Sequence, residues 1–306
     1  MKLYAGFDGG GSKTACCLCD EMGTLLGTGL GGSSNYLFSD REEAAQAMKD
    51  ALAAAFSAAG LAPQPLAAAF VGSAAILLGH GDAHLSFFKS CIPTAQLFCD
   101  SDILPVWFGG TGGKPGVAAI SGTGSIAYGF TEQAFFRVGG WGPQLGDEGS
   151  GYDLGRRALQ TAARMADGRI PPEPAFLDKI LQFYDVKTAH DLIFTVKGED
   201  SRRKIAACAK AVFELENSPA AHRLLEETAE ELALLCRTAA RKAGREDLPV
   251  IQSGGLAASM LPRLAKKLPQ VALLQVSPAL SCAALALEKT GHHTSALRLL
   301  EEGRSC

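Results

Sequence analysis

The chain has 306 residues, of which 47% are hydrophobic and 20% are charged, a balance typical of a globular protein with one large or two ordinary domains. Its 29 Lys and Arg residues and 32 Asp and Glu residues give a net charge of −3, which argues against binding to nucleic acid or to an anionic membrane. The longest apolar stretch, 65–79, is shorter than the roughly 20 residues that span a bilayer. Asp8 interrupts any signal-peptide core, so we expect a cytoplasmic protein.

The first third of the chain predicts short strands and one long helix. Three strands are expected first, because apolar runs alternate there with glycine-rich turns. The segment 41–60 follows as a helix that Ser39 and Asp40 can cap and Gly60 ends. A buried strand and a strand that ends in acidic residues come next. The expected strands cover 2–8, 14–20, 25–32, 66–74 and 95–102.

The rest of the chain repeats this order. The segment 116–130 has the same succession of strand, glycine loop and strand as the N-terminus, which is a weak internal repeat. A glycine-rich loop over 139–155 leads into a helix near 152–166, and 168–200 is predicted to be irregular. This alternation predicts an α/β protein with two related halves. The later elements are helices within 201–243, a strand, glycine turn and helix over 248–259, a strand over 271–277, a helix over 278–289 and a helical C-terminus.

The nine cysteines are interpreted as reduced and mostly buried thiols. Their odd number and their spacing match no disulfide framework. Cys17 and Cys19 would share one face of a strand, but no second pair with zinc spacing follows them.

The stretch DGGGSKT (8–14) has the composition of a phosphate-binding loop. Glycine-rich loops bind phosphate because backbone N–H groups can approach the oxygens without a side chain in the way. A mononucleotide P-loop needs glycine directly before the lysine, and a dinucleotide fingerprint needs a third glycine and a following helix; this stretch has neither. The remaining interpretation is a hairpin loop in which Asp8 holds Mg²⁺ through waters, with a plain glycine-rich hairpin as the alternative. The phosphate-binding residues would be Gly9, Gly10, Gly11 and Ser12.

Two later loops share this character. SGTGS (121–125) lies between two predicted strands, so one such loop in each half could clamp a triphosphate from both sides. SGG (253–255) lies between a strand and a helix, and it could pass under an adenine or a ribose. Three spaced loops of this kind indicate a nucleotide site more strongly than any one of them.

Four motifs carry a resemblance along nearly the whole chain. They are DGGGSKT (8–14), SGTGS (121–125), GGWG with GDEGS (139–150) and SGG (253–255). Together they resemble the BadF/BadG/BcrA/BcrD-type ATPase family, in its N-acetylglucosamine kinase branch, within the actin, sugar kinase and Hsp70 superfamily. The resemblance implies an α/β fold of two ribonuclease-H-like (actin-like ATPase) domains with a nucleotide cleft between them. The domains would be 1–115 plus 290–306, and 116–289.

The resemblance also implies roles for single residues. It assigns the catalytic aspartate to Asp100 in preference to Asp102, and a helix cap is the alternative for either. Substrate contacts would come from Asn35, Ser125, Gly140, Trp141, Gly142 and Asp147. An Asx turn for Asn35, a core position for Trp141 and a helix cap for Asp147 are the alternatives. Nucleotide contacts beyond the first loop would come from Gly122, Thr123, Gly124, Gly254, Gly255 and Ser259.

The expected function is transfer of phosphate from ATP, with Mg²⁺, to the C6 hydroxyl of N-acetylglucosamine, with an aspartate as general base. Some kinases of the family have an asparagine that touches the sugar where this chain has Ile126, so glucosamine and N-acetylmuramic acid stay open as substrates. An ATPase activator or a sensor without sugar transfer is the alternative. The absence of cysteine between Cys99 and Cys208 counts against an iron–sulfur activator. Dimers are common among the resembling kinases, which leaves a homodimer open.

Overall fold

Two five-stranded mixed sheets organise the chain in the computed structural model, which describes residues 1–11, 13–37, 40–198 and 200–304. The chain divides into two compact units. The first unit consists of Met1–Lys114 and Leu274–Cys306, and the second of Pro115–Leu273. Each unit contains one of the sheets. Within the described ranges, no helix is both long enough and apolar enough to cross a membrane.

The strands and helices are numbered in chain order. The strands are β1 (Leu3–Gly9), β2 (Thr14–Asp20), β3 (Leu25–Gly31), β4 (Leu66–Ser73), β5 (Thr94–Ser101), β6 (Gly116–Ser121), β7 (Ser125–Phe130), β8 (Phe135–Gly139), β9 (Val250–Ser253) and β10 (Val271–Leu273). The α-helices are α1 (Arg41–Ala58), α2 (Leu85–Lys89), α3 (Ile103–Thr111), α4 (Gly151–Ala166), α5 (Pro174–Phe183), α6 (Leu192–Thr195), α7 (Ser201–Ala207), α8 (Ala209–Glu214), α9 (Pro219–Lys242), α10 (Ala257–Ala265), α11 (Pro278–Lys289) and α12 (His293–Arg304).

The first unit is built on a sheet with the strand order β3-β2-β1-β4-β5. β1, β4 and β5 run parallel, whereas β2 and β3 continue from β1 as antiparallel neighbours. Parallel strands are stable when both faces of the sheet are covered, and here α1 and α11 pack against it. Because β1, β4 and β5 run parallel, their carboxyl ends lie at one edge of the sheet.

Glycines allow both helices to approach this sheet closely. A Cβ on Gly27, Gly29 or Gly31 of β3 would lie 2.4, 2.1 and 2.1 Å, respectively, from a backbone oxygen of α1. A Cβ on Gly6 of β1 would lie 1.9 Å from the backbone nitrogen of Ala283 in α11. Because real side chains do not tolerate such distances, the helices can lie on the sheet only where these side chains are missing.

The second unit is built on a sheet with the strand order β10-β9-β6-β7-β8. β6 pairs in parallel with β9 and in antiparallel with β7, so the loops that follow β6 and β9 lie at the same edge. α4, α9 and α10 share a core with these strands, in which Leu154, Ala233 and Met260 are fully buried. A Cβ on Gly129 of β7 would lie 2.2 Å from the backbone oxygen of Ala239 in α9. The close strand–helix approach of the first unit therefore recurs here.

The α/β class and the two-sheet architecture that the sequence predicts are confirmed. One of the two predicted caps of α1 is also present. Asp40 accepts hydrogen bonds from the backbone N–H groups of Glu42 and Glu43, which otherwise lack partners in the first turn. The other predicted cap, Ser39, lies outside the described residues.

Two local predictions were wrong, and one strand was missed. The segment 168–200, predicted to be irregular, contains α5 and the short α6, because Pro174 stands at the start of a helix, where proline is tolerated. β8 was not predicted at all, although it forms the edge of the second sheet. The strand predicted over 271–277 ends at Leu273.

The predicted second domain, 116–289, extends too far along the chain. The structure groups the residues from Leu274 onward with the first unit. The reason is that α11 packs against β1 and β4, where Gly6 leaves room for its backbone. The order of elements in the sequence does not reveal which of the two sheets this buried helix covers.

Candidate functional site

The carboxyl ends of the parallel strands bring several predicted residues of the first unit to one edge of its sheet. Asp8 of β1 and Asp100 of β5 both pair with Gly72 of β4 in the strand register. The backbone N–H of Asp102 donates to the carbonyl of Ser73 at 3.2 Å, which holds the start of α3 at the same edge. This edge therefore carries the carboxyl groups of three aspartates.

The glycine loop after β1 closes on itself. The backbone N–H of Gly10 donates to the carbonyl of Lys13 at 3.1 Å. A Cβ on Gly11 would meet nothing within 4 Å, so the backbone there is open to a ligand. Ser12, the fourth predicted phosphate contact, lies outside the described residues.

The segment after β3 carries Asn35 next to this loop. The hydroxyl of Ser33 donates to the carbonyl of Gly10 at 3.3 Å and accepts the backbone N–H of Asn35 at 3.4 Å. A Cβ on Gly9 would lie 2.8 Å from the hydroxyl oxygen of Ser34. The predicted sugar contact and the predicted phosphate loop are therefore neighbours, and the side chain of Ser33 links them.

The carboxylate of Asp100 is engaged by backbone groups. Its Oδ1 accepts the N–H of Gly79 at 2.9 Å and the N–H of Ser101 at 2.8 Å. Burial raises the pKa of Asp100, and these two hydrogen bonds oppose that rise. A carboxylate that anchors two backbone groups in this way stabilises the loop before α2.

Asp102 stands at the start of α3, where its side chain makes no capping hydrogen bond within the described chain. Its Oδ1 accepts the hydroxyl of Ser101 at 3.3 Å. Burial, and then the negative charge of Asp8, raise the pKa of Asp102 to about 6. Burial raises the pKa of Cys282 in α11, and the negative charges of Asp8 and Asp102 add to that rise. Asp102 as a residue is partly buried, and its carboxyl group has a pKa near neutrality.

Asp8 is suited to hold a divalent cation. Burial raises its pKa, and the positive charge of Lys13 opposes that rise. A cation at this position would also relieve the repulsion between Asp8 and Asp102. Mg²⁺ binds through one or two carboxylates and keeps several waters, so it does not need a larger cluster. Among the residues that the structure describes, no group of three or more His, Cys, Asp or Glu side chains could hold a metal ion.

In the second unit, the loop after β6 is fixed by two neighbouring elements. The carbonyl of Gly122 accepts the N–H of Gly151 at the start of α4 at 2.8 Å, and the carbonyl of Ser121 accepts the N–H of Leu256 at 2.9 Å. Gly254 has a φ of +103°, and a Cβ there would lie 2.4 Å from the carbonyl oxygen of Ser121. The turn after β9 therefore requires glycine in order to lie on the end of β6.

These loops line a cavity of about 470 Å³. The predicted nucleotide residues in its wall are Gly122, Thr123, Gly255 and Ser259. The rest of the wall comes mostly from α7 and α8, and it includes the cations Arg203 and Lys210 and the ring of Phe213. This cavity suits a nucleotide, because it combines glycine backbone, hydroxyl groups, cations and apolar surface.

The loop after β8 displays Trp141 at the surface. Trp141 is 64% exposed, so its alternative interpretation as a core residue is wrong. The guanidinium carbon of Arg137 lies 5.0 Å from the centre of the indole, and the same group donates a hydrogen bond to the carbonyl of Gly140. Gly140 and Gly142 have φ values of +70° and +85°. A Cβ on Gly140 would lie 2.4 Å from Cδ1 of Ile126. Ile126, which stands where some kinases of the family have an asparagine, therefore packs against this loop.

Asp147 is held in an unusual conformation next to the SGTGS loop. It is 3% exposed and has a φ of +61°, which is uncommon for a residue other than glycine. Its Oδ2 accepts Nη2 of Arg202 at 2.9 Å, and a Cβ on Gly124 would lie 2.9 Å from the same oxygen. The hydroxyl of Ser125 donates to the carbonyl of Glu148 at 2.7 Å. The SGTGS and GDEGS loops are therefore in direct contact. Backbone strain of the kind shown by the positive φ of Asp147 is often found at functional sites.

Sequence reasoning missed the side chains that α7 and α8 contribute. Arg202 pairs with Asp147 although the two are 55 residues apart in the chain, and Arg203 and Lys210 line the cavity. The basic run in SRRK was the only available signal, and it is equally typical of a solvated helix. The cap of α4 is Ser150, whose hydroxyl accepts the N–H of Asp153, and not Asp147.

Comparisons with known proteins agree with the motifs. The model of the BadF/BadG/BcrA/BcrD ATPase family matches residues 5–274. The N-acetylmuramic acid/N-acetylglucosamine kinase of Clostridium acetobutylicum is 30% identical over 240 residues, which cover 76% of this chain and 78% of that protein. The N-acetyl-D-glucosamine kinase of Dictyostelium discoideum is 26% identical, over 94% of this chain and 98% of that protein.

A solved structure gives the same result. A protein of Chromobacterium violaceum that carries a provisional N-acetylglucosamine kinase name matches with a TM-score of 0.81 and 27% identity, over 94% of this chain and 99% of its own. The family match spans most of the chain and confirms the expectation from the motifs. The chain belongs to the BadF/BadG/BcrA/BcrD ATPase family.

Proposed function

We propose that this protein is an amino-sugar kinase that transfers the γ-phosphoryl group of ATP to the C6 hydroxyl of N-acetylglucosamine. Membership of an ATPase family supports the use of ATP, and the names of the relatives support an amino sugar as acceptor. The observation that carries the proposed chemistry is the position of Asp102 beside Asp8. It provides a carboxyl group with a pKa of about 6 at the end of the parallel strands.

Asp102 is proposed as the general base in preference to Asp100, which the family resemblance favoured. Asp100 already accepts two backbone N–H groups, whereas Asp102 accepts one hydroxyl and has capacity for another. The base must take the proton of the sugar hydroxyl. At the same time the hydroxyl oxygen of the sugar bonds to the γ-phosphorus, and the bond from that phosphorus to ADP breaks. With a pKa of about 6, Asp102 is ionised at neutral pH and is more basic than an ordinary aspartate.

Asp8 is proposed to hold Mg²⁺, and the loop after it to contact phosphate. The bound ion would neutralise negative charge on the phosphates during transfer. The absence of any side-chain obstruction at Gly11 supports a phosphate contact by the backbone there. The proposed phosphate contacts are Gly9, Gly10, Gly11 and Ser12.

The cavity of the second unit is proposed to receive the nucleotide. Its apolar residues suit a base, and the amino group of Lys210 and the hydroxyl groups of Thr123 and Ser259 suit ribose and phosphate oxygens. The proposed nucleotide contacts are Gly122, Thr123, Gly124, Gly254, Gly255 and Ser259.

The sugar is proposed to contact residues of the Asn35 segment and of the GGWG and GDEGS loops. The exposed indole of Trp141 offers an apolar face for the C–H groups of a sugar ring, and the pairing of Asp147 with Arg202 keeps a carboxylate in a fixed position. The proposed contacts are Asn35, Ser125, Gly140, Trp141, Gly142 and Asp147. Glucosamine and N-acetylmuramic acid are the competing acceptors, because Ile126 cannot make the hydrogen bond of an asparagine.

The test is ADP release from Mg-ATP with N-acetylglucosamine, glucosamine and N-acetylmuramic acid in parallel, against a control without sugar. We expect release that depends on N-acetylglucosamine. Release that depends on one of the other two sugars would support an amino-sugar kinase and overturn the proposed acceptor. Slow release that is the same with and without every sugar would overturn the kinase and favour an ATPase activator or a sensor.

A further inference from the structure

A second large cavity, of about 710 Å³, lies in the second unit between α4, α9 and the segment that follows α4. In the part of the chain that the structure describes, its wall includes none of the residues assigned above to nucleotide or sugar. Its distinguishing feature is a set of four guanidinium groups. They belong to Arg157, Arg164, Arg169 and Arg223.

Arg157 is the member of this set that the protein holds most firmly. Its Nη2 donates to Asp153 at 2.6 Å and to the hydroxyl of Thr228 at 3.1 Å, and its Nη1 donates to Glu227 at 3.1 Å. Its Nε is buried and has no hydrogen-bond partner among the described residues. Because a buried cationic N–H without an acceptor is unfavourable, Arg157 is not fully satisfied by its protein partners.

The other three guanidinium groups are less completely neutralised. Arg223 lies 4.0 Å from Glu227, a carboxylate that already binds Arg157, and Arg169 pairs with Asp167 at 2.6 Å. The guanidinium of Arg164 makes no ion pair and no hydrogen bond within the described ranges of the chain. The wall of the cavity therefore carries excess positive charge although the chain as a whole carries −3.

The composition of the wall indicates the kind of ligand. Guanidinium groups bind phosphate through paired N–H donors, and several of them around one cavity favour an anion with more than one charge. The amide of Gln160 and the hydroxyl of Thr161 add polar contacts, while Ile170 and Leu224 add apolar surface. We infer that this cavity binds a small phosphate monoester, with the phosphate near Arg164 and Arg223.

Asp153 connects this cavity to the GDEGS loop. Its Oδ2 accepts Nη2 of Arg157 at 2.6 Å and also the backbone N–H of Gly149 at 3.2 Å. A ligand that draws Arg157 away from Asp153 would change the hydrogen bonding of Gly149, two residues after Asp147. Occupancy of the cavity is therefore expected to change the KM for sugar. This consequence rests on the proposed kinase function, whereas binding to the cavity does not.

The test is isothermal titration calorimetry of the full chain with inorganic phosphate, N-acetylglucosamine 6-phosphate and unphosphorylated N-acetylglucosamine. Three proteins are compared: the native chain, the double variant Arg164→Ala/Arg223→Ala, and Arg298→Ala as the control. Arg164, Arg223 and Arg298 are all exposed, so these variants should fold. Arg298 is a matched control because it pairs with Glu302 on α12, in the first unit.

We expect the double variant to bind inorganic phosphate about tenfold more weakly, or worse, because two charge-assisted contacts are lost, and the control to bind as the native chain does. Tighter binding of the sugar phosphate than of phosphate, lost in the same variant, would identify a sugar phosphate as the source. Equal binding of both would identify the phosphate group alone, and either result supports the site. Equal affinity in all three proteins would assign the binding elsewhere and overturn the inference, as would no binding by the native chain.

Discussion

The two glycine loops have the same succession of strand, loop and strand, but their surroundings differ. The loop after β1 closes on itself through Gly10 and Lys13, at a sheet edge that carries Asp8, Asp100 and Asp102. The loop after β6 is instead tied to α4 and to the turn after β9, and it lines a cavity. The local motif thus gives the backbone its shape, while the neighbouring elements decide its chemistry. We expect changes in the first unit to affect turnover and changes in the second to affect nucleotide binding.

The largest effect is expected for Asp102→Asn. Loss of the general base should lower kcat by about 10²–10⁴-fold, or about 3–5 kcal/mol of barrier, with little change in nucleotide affinity. Asp100→Asn is the matched control, because an amide oxygen can still accept the N–H groups of Gly79 and Ser101. The measurements are sugar-dependent ADP release and calorimetric titration with ADP. A severe loss in Asp100→Asn together with near-native turnover in Asp102→Asn would return the role to Asp100.

The pH dependence of kcat/KM should reflect the ionisation of the Asp102 carboxyl group. Because the base must be ionised and the pKa of Asp102 is raised to about 6, activity should fall as the pH falls below that value. The expected fall approaches tenfold for each pH unit below the pKa, or about fiftyfold between pH 6, where half of the groups are ionised, and pH 4. Rates in overlapping buffers over that range provide the test. A profile that stays flat down to pH 4 would argue that the base has an ordinary aspartate pKa.

A smaller effect is expected in the cavity of the second unit. A Cβ on Gly255 would meet nothing within 4 Å, so Gly255→Ala and Gly255→Leu should leave the protein as stable as before. If the nucleotide occupies this cavity, the leucine should raise the KM for ATP by about tenfold and the alanine by less, while the KM for sugar stays unchanged. Thermal unfolding serves as the control for stability. An unchanged KM for ATP in the leucine variant would exclude Gly255 from the nucleotide site.

The smallest effect concerns stability. The pKa of Asp102 is higher in the folded protein than the ordinary value of 3.8, so the stability linked to this group is fully present below pH 3.8 and is lost as the pH rises through about 6. Asp102→Asn should therefore be more stable than the native protein at pH 7, by about 1 kcal/mol because partial exposure reduces the effect, and the difference should vanish near pH 3.5. Urea unfolding at both pH values tests this. A variant that is less stable at pH 7 would contradict a raised pKa.

Much of the fold followed from local patterns in the sequence. Alternating apolar runs and glycine turns indicated the strands, and the acid Asp40 before a helical segment indicated the start of α1. The assignment of α11 to the first unit could not be predicted, because it depends on Gly6 making room for a helix that comes more than 250 residues later in the chain. Local sequence patterns do not indicate which sheet a buried helix covers.

The site was predictable only in part for the same reason. The glycine loops have recognisable sequences, and the structure brings Gly122, Thr123, Gly255 and Ser259 to one cavity. The choice between Asp100 and Asp102 depends on which carboxylate the backbone already uses, and the pairing of Arg202 with Asp147 joins distant segments. Hydrogen bonds of this kind have no signature in the sequence. The cytoplasmic location and the homodimer stay predictions.

The most direct test of the central claim follows the γ-phosphoryl group itself. ³¹P NMR during turnover with Mg-ATP and N-acetylglucosamine distinguishes transfer to sugar from transfer to water. We expect a phosphate monoester resonance, coupled to the two protons on C6 of the sugar, that grows in step with ADP. Inorganic phosphate as the sole new product would contradict an amino-sugar kinase.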